Sequence, residues 1–259
     1  MRAIIVIALV MLLPYPIYPD GFSCDTLLKN KQIIERCREI ENGKVIEESR
    51  YTNGERDGFQ KKWYSNGSLK EVMNYRNGCP VDTAFDYYES GKIKSIVPFQ
   101  NCTEHGTAIY FLESGDTSKV RYARFGKSIG IHRSFHPNRR PASVLHYNDS
   151  GKKHGLCETW RGDGTRIDSI MYRNGAMLEI REYFTNGKVR QWIKLKNEIR
   201  DQGTFYDPKG KIVGRIRNGS GIFINSSEDG RNRRLVEYRD GEEVASRELK
   251  PGEKPKVTR

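Results

Sequence analysis

One short phrase recurs about every 24 residues along this chain, and a sequence with such a period folds as stacked copies of one small unit. Glycines fall at Gly43, Gly67, Gly91 and Gly115, each 24 residues after the last. An aromatic stands four positions ahead of three of them, at Trp63, Tyr87 and Phe111, and another follows by eight at Tyr51, Tyr75 and Phe99. The phase continues at Gly164, Gly187 and Gly210. A fixed period of this size marks a repeat architecture in which each unit packs only on its neighbours.

Each unit has the grammar of two strands and two turns. Residues 59–64 have strand-forming character, Ser65-Asn66-Gly67-Ser68 turns the chain, and residues 69–75 return. Asn-Gly reaches positive φ cheaply, as tight hairpin turns require. Ser90-Gly91, Asp163-Gly164, Asn186-Gly187 and Lys209-Gly210 repeat the device, and Gly54, Gly78, Asn174-Gly175 and Asp240-Gly241 close the second turn. The aromatic register predicts a structural ladder of Trp63, Tyr87, Phe111, Phe135, Trp160, Tyr183 and Tyr206, one ring per hairpin. Residues 131–155 keep the plan but lose the central glycine, with Asn138-Arg139-Arg140-Pro141 in its place, and the pattern departs there and after Asn197, which leaves the shape open at both.

Composition sets the thickness of the fold. With 36% hydrophobic residues and a mean hydropathy of -0.74, a thick core is excluded. The 14 Tyr and 10 Phe exclude a disordered chain. A thin, half-exposed antiparallel sheet satisfies both. The net charge of +12 favours anionic partners. No run of five basic residues and no nucleic-acid motif occurs, so no nucleic acid is expected.

The ends read differently from the middle. Arg2, the apolar run 3–13 and the prolines at 14, 16 and 19 predict a signal peptide over 1–23, and with it export to the periplasm or cell envelope. The run is shorter than the roughly 20 residues a spanning helix needs. Cleavage before Cys24 makes that residue a lipidation candidate, although Gly21 and Phe22 depart from the usual lipobox. The five cysteines are an odd count, and export permits disulfides. Residues 24–35 are expected to form a capping segment. Leu27, Leu28, Ile33, Ile34 and Cys37 follow roughly helical spacing behind Asp25, which predicts a short helix over Asp25–Arg38. The repeat domain spans 36–247. Residues 248–259, with Pro251, Gly252 and Pro255, are expected to be a disordered basic tail.

A search for chemistry finds little. His132 and His136 share a strand face but stand about 13 Å apart, too far for one metal ion. No paired carboxylates, nucleophile–histidine pattern or phosphate loop is visible. No catalytic, cofactor-binding or metal-binding residue is therefore assigned, and the chain is not expected to be an enzyme.

The segment WYSNGSLKEVMNYRNG resembles the bacterial variant of the MORN repeat, and DYYESGKIKSIVPFQN, TWRGDGTRIDSIMYRNG and EYFTNGKVRQWIKLKN are looser copies. The resemblance runs over roughly residues 36–245. It implies an all-β, elongated antiparallel sheet of tandem hairpins, and interaction rather than catalysis. Bacterial proteins of this kind are often described as antitoxin components, and other MORN proteins are linked to membranes and lipid. The expected function is a non-catalytic exported repeat protein that binds a protein or envelope partner through its sheet face. The alternatives are an antitoxin or immunity protein that masks a toxin, and a basic binder of anionic lipid surfaces.

Overall fold

A computed structural model describes residues 21–258, which fold as two compact units, one through Lys92 and one from Ile93 onward. Apart from its last three positions, the expected leader 1–23 lies outside the described residues. The described residues form strands and turns and contain no helix. In the first unit β1 (Phe22–Lys29), β2 (Gln32–Glu41), β3 (Lys44–Thr52), β4 (Glu55–Trp63), β5 (Leu69–Arg76) and β6 (Cys79–Tyr87) pair antiparallel in chain order. The second unit begins with β7 (Ile93–Gln100), β8 (Thr103–Glu104), β9 (Gly106–Phe111), β10 (Thr117–Arg124), β11 (Lys127–Phe135), β12 (Pro141–Tyr147), β13 (Gly155–Trp160) and β14 (Arg166–Arg173). It ends with β15 (Ala176–Tyr183), β16 (Val189–Lys196), β17 (Ile199–Tyr206), β18 (Ile212–Ile216), β19 (Gly221–Ser226), β20 (Arg233–Arg239) and β21 (Glu242–Glu248). Every pairing there is antiparallel as well.

Two turn chemistries build these hairpins. At the two-residue turns both central residues have positive φ, as in Asn77-Gly78 (49° and 74°) and Asn174-Gly175 (53° and 94°). That is the type I′ geometry, whose twist matches the flanking strands. The other turn is a five-residue loop. Its first N–H bonds the fifth carbonyl, and its fourth N–H bonds the first carbonyl, as in Tyr64–Ser68, Tyr88–Lys92, Leu112–Asp116, Arg161–Thr165, Phe184–Lys188 and Asp207–Lys211. The fourth residue is the phase glycine in each case: Gly67, Gly91, Gly115, Gly164, Gly187 or Gly210, all at positive φ. Gly43 differs, since it belongs to a two-residue turn with Asn42. The loop near Asn138 keeps the five-residue shape without its glycine. His136–Arg140 makes the same two bonds, with Arg139 at φ 66° in the glycine slot. After Asn197 the first turn is again type I′, with Glu198 at φ 65°, and the later loop Ser227–Asn232 is one residue longer than the others.

The helix expected over Asp25–Arg38 is corrected to a hairpin. β1 and β2 pair Leu27 with Ile34, Leu28 with Ile33 and Cys24 with Cys37. The apolar spacing is symmetrical about Asn30-Lys31, which turns at φ 51° and 63°. Cross-strand pairing and the Cys24–Cys37 disulfide follow that symmetry, whereas a lone helix of this length is marginal in water.

Burial concentrates on one face of each unit. In the first unit Cys37, Ser49 and Gln60 stand directly opposite one another on β2, β3 and β4, and all three are buried. In the second unit Ile193, Gly203 and Ile216 form such a row, and Phe205, Gly214, Phe223 and Val236 form the next. The Phe205 and Phe223 rings stack at 3.4 Å over Gly214, where an added Cβ would overlap Phe223. Residues beyond Glu248, expected to be loose, are held. Thr258 N–H bonds the Ile222 carbonyl, Ile222 N–H bonds Thr258 Oγ1, and Arg247 pairs with Glu253 at 2.5 Å.

Candidate binding site

The predicted aromatic ladder occupies the strand ends. Trp63, Tyr87, Phe111, Phe135, Trp160, Tyr183 and Tyr206 are all half-buried. Trp63, Phe135, Trp160, Tyr183 and Tyr206 each sit at a register shift opposite the start of the returning strand. Such bulges re-aim the side chain beside them. A buried column lies three residues earlier in five of the copies: Gln60, Ala84, Ala108, His132 and Cys157. This column keeps the same near-24-residue spacing as the rings. Its small and polar members carry no apolar signature, which is why a search for large hydrophobic residues passes over it.

The histidines and cysteines are tied to the backbone or to each other. His132 Nε2 lies 2.9 Å from the Tyr122 carbonyl, and burial holds its pKa below the usual histidine value. His136 Nε2 lies 2.8 Å from the Trp160 carbonyl. Among the described residues no group of His, Cys, Asp and Glu could hold a metal ion. Cys24 spends its sulfur on Cys37, and Cys157 is a buried free thiol.

The loops bind one another from copy to copy. Tyr64 Oη donates to the Tyr87 carbonyl at 2.8 Å, and Ser68 Oγ donates to the Glu89 carbonyl at 2.8 Å. In the second unit Asn138 Nδ2 donates to the Gly162 carbonyl at 2.6 Å and Asn186 Nδ2 to the Pro208 carbonyl at 2.8 Å. The loop asparagine thus bridges copies while its Oδ1 accepts from the backbone two residues on, as Asn186 does from Lys188. The ladder position has its own polar tie at Tyr183. Burial raises its hydroxyl pKa, but Ser169, Arg166 and the positive charge of Arg181 outweigh that and hold it below the ordinary tyrosine value.

Residues 56–77 and 83–101 match the MORN repeat variant. These two stretches are MORN-type repeats. No curated protein matches it. The matched stretches contain the Tyr64–Ser68 and Tyr88–Lys92 loops. The same pair of loop bonds recurs at residues 112, 136, 161, 184 and 207, so the same hairpin geometry continues through the second unit.

Two basins open on opposite faces of the second unit. The first, of about 270 Å³, is lined by Glu182, Arg190, Arg200, Arg234 and Glu243 above Phe223 and Val236. Its charges are already engaged: Arg234 with Glu243 at 2.8 Å, Arg190 with Glu228 at 3.4 Å, and Arg200 over the Tyr238 ring at 5.2 Å. The second basin, of about 390 Å³, is lined by Trp192, Gln202, Gly203, Thr204, Arg215, Ile216, Arg217 and Asn218. Its floor is a cross-strand row, Trp192 opposite Thr204 and Thr204 opposite Arg215. No carboxylate is among its lining residues. The nearest in register is Glu179, opposite Lys194, and Arg181 holds it at 2.8 Å. The buried Trp192 indole N–H has no acceptor among the described residues. Lys194 lies over the same indole, 5.1 Å from its centroid.

Proposed function

We propose that this MORN-repeat chain is a non-catalytic, exported binding protein that docks a protein partner on the open face of its second unit. The observation that carries this reading is the Arg181–Trp192–Thr204–Arg215 row across β15 to β18, in which Trp192 stands between Arg181 and Thr204 and Arg215 comes next. Trp, Tyr and Arg are the side chains most enriched at binding hot spots, because they combine large contact area with fixed polar geometry. The pattern repeats nearby, with Arg166 over Tyr183 and Lys153 over Tyr172. MORN repeats are typically non-enzymatic, which supports the same reading.

Export is supported by the Cys24–Cys37 disulfide, since such bonds persist in oxidising compartments. A sulfur in that bond is not free to carry a thioether lipid, which favours release after Ser23 over anchoring at Cys24. The test is a binding titration of the mature chain against partners captured from envelope fractions. Saturable one-to-one binding that Arg181→Glu weakens supports the reading. Retention only on anionic vesicles, abolished by salt, replaces the protein partner with a lipid surface.

A further inference from the structure

We infer that the basin over Trp192 recognises a carboxylate, and that its occupant is an acidic side chain of the docked protein; this rests on the docking reading above and specifies its chemistry. The basin carries two positive charges and no negative one. Arg215 and Arg217 supply two guanidinium groups, Thr204, Gln202 and Asn218 supply a hydroxyl and two amides, and no lining side chain is negative. A buried donor without a partner costs roughly 1–3 kcal/mol, so native structures seldom keep one without a reason. The Trp192 indole N–H is such a donor, but it is fully enclosed, so the two arginines of the basin carry the recognition.

The other basin is the internal control. It contains three arginines yet also Glu182 and Glu243, and its guanidinium groups are occupied by protein partners. Two basins on one sheet therefore differ in a single respect that matters for an anion: one is neutralised from within and the other is not. A carboxylate suits the open one because a planar guanidinium meets it in a two-point fork. The volume falls within the usual range for pockets that hold a small ligand or a few side chains.

The experiment titrates the full mature chain with hexaglutamate, with free glutarate and with inorganic phosphate, by calorimetry and by tryptophan fluorescence. The three tryptophans are Trp63, Trp160 and Trp192, so Trp192→Phe isolates the signal from the basin. The expected result is saturable hexaglutamate binding with a fluorescence change that Trp192→Phe removes. Arg215→Gln should weaken that binding about tenfold or more, with the melting temperature of each variant unchanged. Glutarate is expected to bind more weakly than the peptide at the same site. Equal hexaglutamate affinity in wild type and Arg215→Gln overturns the proposal, as does phosphate binding as tightly as the peptide. If the partner still docks with Arg215→Gln unimpaired, the carboxylate site fails and the docking reading stands. If no partner docks yet hexaglutamate binds through Arg215, the docking reading fails and the site stands.

Discussion

The last hairpins of the second unit and the first hairpins of the first unit each bury one face, by different means. In β16 to β20 the buried positions are Ile193, Phe205, Ile216, Phe223 and Val236, one continuous apolar cluster. In β2 to β4 they are Cys37, Ser49 and Gln60. There Gln60 Nε2 donates to Glu47 Oε1 at 2.5 Å, and Ser49 Oγ donates to the same oxygen at 3.0 Å. One backbone plan thus accepts a greasy row or a hydrogen-bonded one. The lesson is that the hairpin register comes from the turns, and the buried row only has to be satisfied, by packing or by partners. Where apolar area is scarce the chain adds a covalent tie, the Cys24–Cys37 bond.

The sharpest way to break this contrast is to empty the apolar row. Phe205→Ala removes a ring that is 3% exposed and stacked on Phe223, and should cost about 3–5 kcal/mol. Trp160→Ala, at a half-buried strand end, should cost clearly less. Denaturant unfolding of both variants checks this. Equal losses would return the ladder rings to the core and remove the distinction between row and ladder.

The tie at the other end comes next. Cys37→Ser opens a loop with a sequence separation of 13 residues. By loop-closure entropy this should cost roughly 3 kcal/mol. The loss should appear as faster amide exchange in β1 and β2, while the β16 to β20 amides keep their protection. A uniform loss across the chain would mean that the two regions unfold as one.

Much of this was legible in the sequence, and the misses have physical reasons. The turn residues encoded the hairpins directly, because Asn-Gly at positive φ admits few other structures. At Asn30-Lys31, Asn197-Glu198 and His136–Arg140 the backbone is the same but a side chain stands where glycine usually does. Without that glycine, Leu27, Leu28, Ile33 and Ile34 look like a helical stripe, when they are cross-strand pairs. The buried column at Gln60, Ala84, Ala108, His132 and Cys157 kept the repeat period. Its residue types are unlike a core, so only the period could have revealed it. The basin over Trp192 was illegible for a different reason. It combines three strands with a turn, and its lack of carboxylates is a property of register rather than of any local motif.

The C-terminal strap gives a pH test of the greasy end. Glu253 is held at a pKa of about 2, below its ordinary 4.5, by its hydrogen bonds to Arg247 and then to the Lys250 amide. A depressed carboxylate pKa stabilises above the unfolded value and loses that contribution as pH falls through the folded one. The strap should therefore loosen between pH 4.5 and about 2. Faster exchange of the Lys250 and Thr258 amides across that window checks it, and Glu253→Gln should remove the pH dependence. If the β16 to β20 core stays protected throughout, the strap covers that core without being needed to hold it.

The smallest effect tests whether turns, rather than buried rows, set the register. Glu198 is exposed and sits at φ 65°, where a β-carbon costs about 1–2 kcal/mol. Glu198→Gly removes that strain but adds about 0.5–1 kcal/mol of freedom to the unfolded chain. The net should be a gain of about 0.5 kcal/mol, read as a small rise in melting temperature. Gly187→Ala is the mirror experiment. It has φ 80° and nothing within 4 Å of an added Cβ, so its cost is backbone strain alone and should be a loss of about 1 kcal/mol. Opposite signs at these two turns would place register in the turn backbone. A loss at both would mean that the Glu198 side chain, and not the φ angle, holds its turn.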